Sequence, residues 1–187
     1  MNPWRKLLRT ILAVALAAYC FLDVACTSRI PNRVTTEEMD LYREWLKHQF
    51  ANQPPEQLYV DDQTFVFDPV RNKCDAALRR TDGVSKALIK QLHALGNADY
   101  PLDVESNQLK LPWPYRVLDP RKVPPATPGK LHIISFSRVA FSGDHSQALF
   151  AVGDSCGGEC GGGGPMLANK HGNVWQFRRL ESCAWID

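Results

Sequence analysis

Apolar positions fall into three successive patterns along the 187-residue chain. The first is continuous. Thr10 to Leu22 is an uncharged, mostly apolar run, and Arg5, Lys6 and Arg9 precede it. The second has helical spacing. Thr35 and Glu38 stand at the separation of a capping box, and Met39, Tyr42, Leu46 and Phe50 follow, with Leu41 and Trp45 beside them. That spacing predicts one apolar face on a helix that Asn52-Gln53-Pro54-Pro55 ends. Residues 58–67 read as extended, with a turn at Asp61-Asp62. Asp68-Pro69 predicts the start of a short helix through Arg79 that carries Cys74, since Asp suits the N-cap and Pro the first helical position. Thr81-Asp82-Gly83 makes a turn, and Leu88, Leu92 and Leu95 give an apolar face to a helix from Val84 to Leu95, stopped by Gly96-Asn97.

The third pattern is strand-like and occupies the C-terminal part. Leu131–Phe141 reads as one long strand, Ser142–His145 as a turn, and Gln147–Val152 as a second strand. A glycine-rich loop, a strand Pro165–Lys170, a turn at His171-Gly172-Asn173 and a strand Val174–Arg178 complete a meander, with Ala184–Ile186 as a short edge. Between the helical and strand-like parts, residues 101–129 hold seven of the thirteen prolines and predict a mostly irregular crossing pinned by Trp113 and Tyr115. Helices first and strands last predict an α+β fold. N-terminal helices cover one face of a C-terminal antiparallel β-meander of about four strands.

The opening run changes the picture of where this domain works. Thirteen residues make a helix of about 20 Å, short for a membrane span of about 20 residues and suited to the apolar core of a secretory signal. Residues 1–26 therefore read as a signal peptide or lipoprotein signal, 27–34 as a tether and 35–187 as a single domain. Ala25-Cys26 resembles a bacterial lipoprotein cleavage site, which makes Cys26 the lipidation candidate; Asp23 departs from the apolar residue usual there. Cleavage nearby, which leaves the domain unattached, and retention as an anchor are the alternatives, so any membrane attachment runs through Cys26 or an uncleaved N-terminal segment. The formal charge of +2 resides in this segment, since its removal leaves nineteen basic and nineteen acidic residues. A neutral domain points away from nucleic acid.

Seven of twelve glycines and two of six cysteines fall in 153–164. In an oxidising compartment Cys156, Cys160, Cys74 and Cys183 form an even set of disulfide candidates with three connectivities. Cys156 with Cys160 would close a small ring at a hairpin tip, and Cys74 with Cys183 a far longer loop. Thiol exchange at Cys156 and Cys160 is the rival reading, disfavoured by their three-residue spacing and by the nearby Asp154 and Glu159. Zinc held by Cys156, Cys160, His171 and Cys183 has acceptable ligand types, but oxidation removes thiolates, so neither metal nor cofactor is expected. Gly153-Asp154-Ser155 resembles the nucleophile segment of trypsin-like proteases, yet Cys156 stands where that family has glycine. His132 and His145 supply no recognisable partner motif, and no catalytic residue is assigned.

Ser137-Arg138-Val139-Ala140-Phe141, Gln147-Ala148-Leu149, Cys156-Gly157-Gly158-Glu159-Cys160-Gly161, Trp175 and Trp185-Ile186 together resemble a group of uncharacterised exported bacterial proteins with a Cys-Gly-Gly-x-Cys-Gly hairpin before a terminal β-hairpin. The resemblance implies an exported β-meander and transfers no activity. The expectation is a periplasmic or outer-membrane-associated envelope protein. It acts as a disulfide-stabilised binding or structural module toward an envelope ligand or protein, with the glycine loop and the Pro-rich crossing as contact surfaces. A periplasmic thiol-disulfide oxidoreductase or small envelope hydrolase is the alternative.

Overall fold

Thr35 opens the first helix as the sequence implies. Its hydroxyl accepts the Glu38 backbone N–H, and the Glu38 carboxylate accepts the Thr35 N–H. The computed structural model describes residues 33–102, 109–119, 131–156 and 161–186. The expected signal segment 1–26 with Cys26, most of the tether, parts of the Pro-rich crossing and Cys160 lie outside the described residues. The described residues fall within one unit, Asn32–Asp187.

Helix α1 (Thr36–Gln49) buries Met39, Leu41, Tyr42, Trp45 and Leu46, and Phe50 continues the stripe. Strand β1 (Gln57–Asp61) follows. The helix expected from Asp68-Pro69 begins later, as α2 (Asp75–Arg80). The Asp68 carboxylate instead accepts the Val70 N–H and closes a turn, in which the Cys74 and Asp75 N–H groups bond to the Pro69 carbonyl. Helix α3 (Lys86–Leu95) starts two residues later than expected because the Ser85 hydroxyl caps it through the Leu88 N–H.

The fold is α+β but rich in strands, and it departs from a simple meander in three ways. Among the described residues the sheet has eight strands: β1, β2 (Arg116–Leu118), β3 (Leu131–Phe136), β4 (Ala140–Phe141), β5 (Gln147–Ser155), β6 (Gly161–His171), β7 (Val174–Arg179) and β8 (Trp185–Ile186). Their order is β2-β1-β3-β5-β6-β7, with β4 beside β5 and β8 beside β6. First, the sheet is mixed. β1 runs parallel to both β2 and β3, and the remaining pairs are antiparallel. β1 is joined to β3 through α2, α3 and β2, and parallel neighbours need such long crossovers. β2 lies within the Pro-rich stretch expected to be irregular.

Second, helices cover both faces rather than one. Ala148, Phe150, Val152, Met166 and Ala168 pack with α1, while Leu149, Ala151 and Leu167 pack with Leu88, Ile89 and Leu92 of α3 and Leu78 of α2. The five consecutive buried residues Ala148–Val152 are the signature of a strand covered on both sides. Third, the expected Leu131–Phe141 strand is broken at Ser137-Arg138-Val139, where the Arg138 side chain turns inward to Glu38. No helix among the described residues is long and apolar enough to cross a membrane.

Candidate functional site

The β5–β6 hairpin extends well beyond the strands expected from its apolar residues. Val152, Gly153, Asp154 and Ser155 pair with Gly164, Gly163, Gly162 and Gly161, so much of the glycine segment is strand rather than loop. The reason is the C-terminal strand lying against it. β8 pairs Trp185 with Gly163 and Ile186 with Gly162. A Cβ on Gly163 would sit 2.3 Å from Trp185 Cζ2 and 2.5 Å from the Val152 carbonyl oxygen. At Gly162 the Trp185 carbonyl oxygen would be 2.8 Å away, and at Gly164 the Ala184 Cα 3.1 Å away. Only bare backbone admits the indole and its strand at this distance.

A disulfide fixes that strand. Cys74, at the start of α2, is bonded to Cys183, two residues before Trp185. Cys156 is disulfide-bonded as well. Trp185 stacks on Phe67 at 6.0 Å between ring centres and meets Phe65 edge-on at 6.2 Å.

The register then sets a row of residues across the sheet on the face of α2 and α3. Ser135 pairs with Gly153, Gly153 with Gly163, and Gly163 with Trp185. At the β1 end of the row, the Ser135 hydroxyl donates to the Asp61 carboxylate. Burial pushes the Asp61 carboxyl above its ordinary value; the Ser135 hydrogen bond opposes this, and the charge of Asp62 adds to it. A cleft of about 190 Å³ opens over part of this row, lined by Phe65, Ser135, Gly153, Asp154, Ser155, Gly162 and Trp185, with Asp61 reached through its hydrogen bond from Ser135.

The opposite face of the same strands carries a second, smaller cleft of about 110 Å³, bounded by Trp45, Gln49, Asp154, Met166 and Arg179. His132, outside this cleft's lining, has its Nδ1 3.1 Å from both carboxylate oxygens of Asp154. Burial raises the Asp154 carboxyl, against the charges of His132 and Arg179 and the His132 hydrogen bond. This pair resembles the base and orienting acid of a hydrolase, but among the described residues no serine or cysteine is hydrogen-bonded to it. Ser155 follows Asp154 on a strand, so its side chain projects to the other face and lines the other cleft.

The remaining candidates are dispersed. His145 bonds to Glu37 at 2.7 Å, and His171 is exposed where β6 ends. Cys183 is taken by Cys74, which dissolves the zinc set considered from the sequence. Among the described residues no group of three His, Cys, Asp or Glu gathers where it could hold a metal. Pro114, Tyr115 and Arg116 of the Pro-rich crossing line a separate cleft of about 240 Å³ with Tyr59 at the β1–β2 edge. Asp61, Phe65 and Ser135 escaped the sequence reading. Asp61 looked like a turn residue, and nothing local ties it to Ser135, 74 residues on. The glycine density and the terminal tryptophan were the visible signals.

No protein family, curated protein or solved structure matches the chain.

Proposed function

We propose that this chain is an exported, disulfide-stabilised binding module of the bacterial cell envelope, processed at or near Cys26, with Cys26 as the candidate for lipid attachment. The single observation that carries the reading is the Cys74–Cys183 bond, which holds Trp185 against the glycine strands and so gives the 190 Å³ cleft its wall. Disulfides of this kind persist in oxidising compartments, and the basic, then apolar, N-terminus is suited to reach one. The likeness to exported proteins with a Cys-Gly-Gly-x-Cys-Gly hairpin supports the same placement.

Binding is favoured over catalysis because, among the described residues, the His132–Asp154 pair has no serine or cysteine bonded to it and the Ser135 hydroxyl bonded to Asp61 has no histidine beside it. His132 and Asp154 face one side of the sheet and Ser155 the other. An oxidoreductase reading would rest on Cys156 and Cys160. It requires insulin-reduction activity in the wild type and its loss in Cys160→Ser, whereas a binding module loses stability alone.

Intact mass spectrometry of protein purified from its native membrane, with non-reducing peptide mapping, tests the reading. The expected result is a chain shortened at or near Cys26, with Cys74 linked to Cys183. A mass equal to the unprocessed chain with all thiols free overturns it.

A further inference from the structure

The cleft lined by Ser135, Gly153, Asp154 and Trp185, with Asp61 hydrogen-bonded to Ser135 at its edge, has a chemical character that narrows its occupant. We propose that it is a binding site for a small cationic head group, a primary ammonium or a guanidinium, presented by an amine or by a basic side chain. The inference rests on the binding reading above and adds the class of ligand.

Hydrogen-bond polarity is the first argument. The Ser135 hydroxyl commits its single proton to Asp61, so it turns only lone pairs toward the cleft. A ligand group that only accepts hydrogen bonds gains nothing from this hydroxyl. An ammonium or a guanidinium, which only donates, does.

Charge is the second. Asp61 is half-buried, and among the described residues its carboxylate has the Ser135 hydroxyl as hydrogen-bond partner and no Lys, Arg or His in an ion pair. Its neighbour Asp62 adds negative charge. A partly desolvated carboxylate without a counter-charge is unfavourable. A cation entering beside Ser135 supplies that charge from the ligand.

The walls are the third. The face of an indole or phenyl ring attracts cations, and Trp185 and Phe65 stand at 78° to one another, 6.2 Å apart, beside this cleft. The aromatic wall is fixed before any ligand arrives, since Gly163 seats the indole and Cys183 is tied to Cys74. Size is the fourth. The cleft of about 190 Å³ lies below the roughly 300–1,000 Å³ of sites that enclose a drug-sized molecule. It takes a head group and leaves the rest of the ligand outside.

Gly153 provides a probe of the site that the fold tolerates. A Cβ placed there meets nothing nearer than Ser135 Cβ at 3.8 Å, so alanine fits and projects into the floor of the cleft. The test is a titration of 1,4-diaminobutane and of L-arginine amide into the purified full chain with its disulfides intact. It follows the Trp185 indole N–H resonance, assigned through Trp185→Phe. The expected result is a saturable shift whose midpoint moves at least about ten-fold higher in Asp61→Asn and in Gly153→Ala, with glucose producing none. The proposal is overturned if the wild-type resonance does not move saturably. It is equally overturned if either variant keeps the wild-type midpoint, or if glucose shifts the resonance at the same concentrations. A failed titration leaves the mass measurement of processing and disulfide linkage untouched, so the two readings fail separately.

Discussion

Glu38 and Arg138, 100 residues apart, form an ion pair in which each side chain is only 2% exposed. Arg138 Nε donates to Glu38 Oε1 at 2.7 Å and Nη2 to Oε2 at 3.2 Å. The same carboxylate accepts the Thr35 N–H at 2.8 Å and the Val139 N–H at 3.0 Å. One side chain thus caps α1 and satisfies the backbone where β3 gives way to β4, while the Arg138 guanidinium lies 4.6 Å from the centre of the Tyr100 ring.

Removing one partner leaves the other charge buried and unpaired. Glu38→Gln and Arg138→Met are each expected to destabilise the fold by about 3–5 kcal/mol. The double variant should lose less than the sum of the two, because it leaves no orphaned charge. Urea unfolding of the four proteins in the cycle measures this. Additive losses would show that the two side chains act independently.

The two roles of Glu38 also mark how far the sequence could be read. Its capping role was legible because Thr35 lies three residues away and the apolar period begins beside it. Its role as counter-ion was not, since no local pattern announces a partner so distant in the chain. The same divide runs through the sheet. The turn at Ser142–His145 and the β6–β7 hairpin are local and appeared in the pattern. The parallel pairing of β1 with β3 joins segments far apart in the chain and did not. Ala148–Val152 carried the clue to cover on both faces, an unbroken apolar run, although a short run alone does not distinguish burial on one face from burial on two. The glycines read as a loop because their need to be bare comes from Trp185, and that contact exists only once β8 has docked.

Two glycines in one row should respond differently to the same substitution. Gly163→Ala places a methyl against the Trp185 ring and the Val152 carbonyl, and overpacking of this kind costs about 1–3 kcal/mol or more. Gly153→Ala meets only ordinary contact distances and should stay within about 0.5 kcal/mol of wild type. Thermal unfolding followed by near-ultraviolet circular dichroism, which senses Trp185, distinguishes them. Equal losses at both positions would contradict the packing described for β8.

The Cys74–Cys183 bond spans 109 residues of sequence. In the chain-entropy argument a loop of that size contributes about 4–5 kcal/mol, and loss of a native disulfide typically costs about 2–5 kcal/mol. Cys74→Ala/Cys183→Ala should therefore lower the unfolding midpoint. Because Trp185 lies two residues beyond Cys183, hydrogen exchange at Trp185 and Ile186 should accelerate more than at the β5–β6 pairs nearer the core, such as Leu149–Leu167. Uniform acceleration across the sheet would place the effect in global stability alone.

Asp68 and Asp61 should pull the pH dependence of stability in opposite directions. Burial works to raise the Asp68 carboxyl, but hydrogen bonds from His93, at 2.7 Å, and from the Val70 and Arg71 N–H groups outweigh it and hold it below its ordinary value. A carboxyl depressed on folding contributes stability that is fully present above its unfolded value, about 3.9, and is lost as pH falls through the folded one. Asp68→Asn should lower stability at pH 7 and flatten the acid limb of the curve. The Asp61 carboxyl is raised on folding, first by burial. It therefore subtracts from stability at neutral pH, and the penalty lifts as the pH falls through its folded value toward the unfolded one. An amide at this position retains an oxygen to accept the Ser135 hydrogen bond, so Asp61→Asn should raise the urea midpoint at pH 7 and lose that advantage toward pH 3. A gain in stability from neutralising a side chain is what a group retained for binding produces. A loss at pH 7 that disappears in acid would reverse the sign and make Asp61 a structural carboxylate.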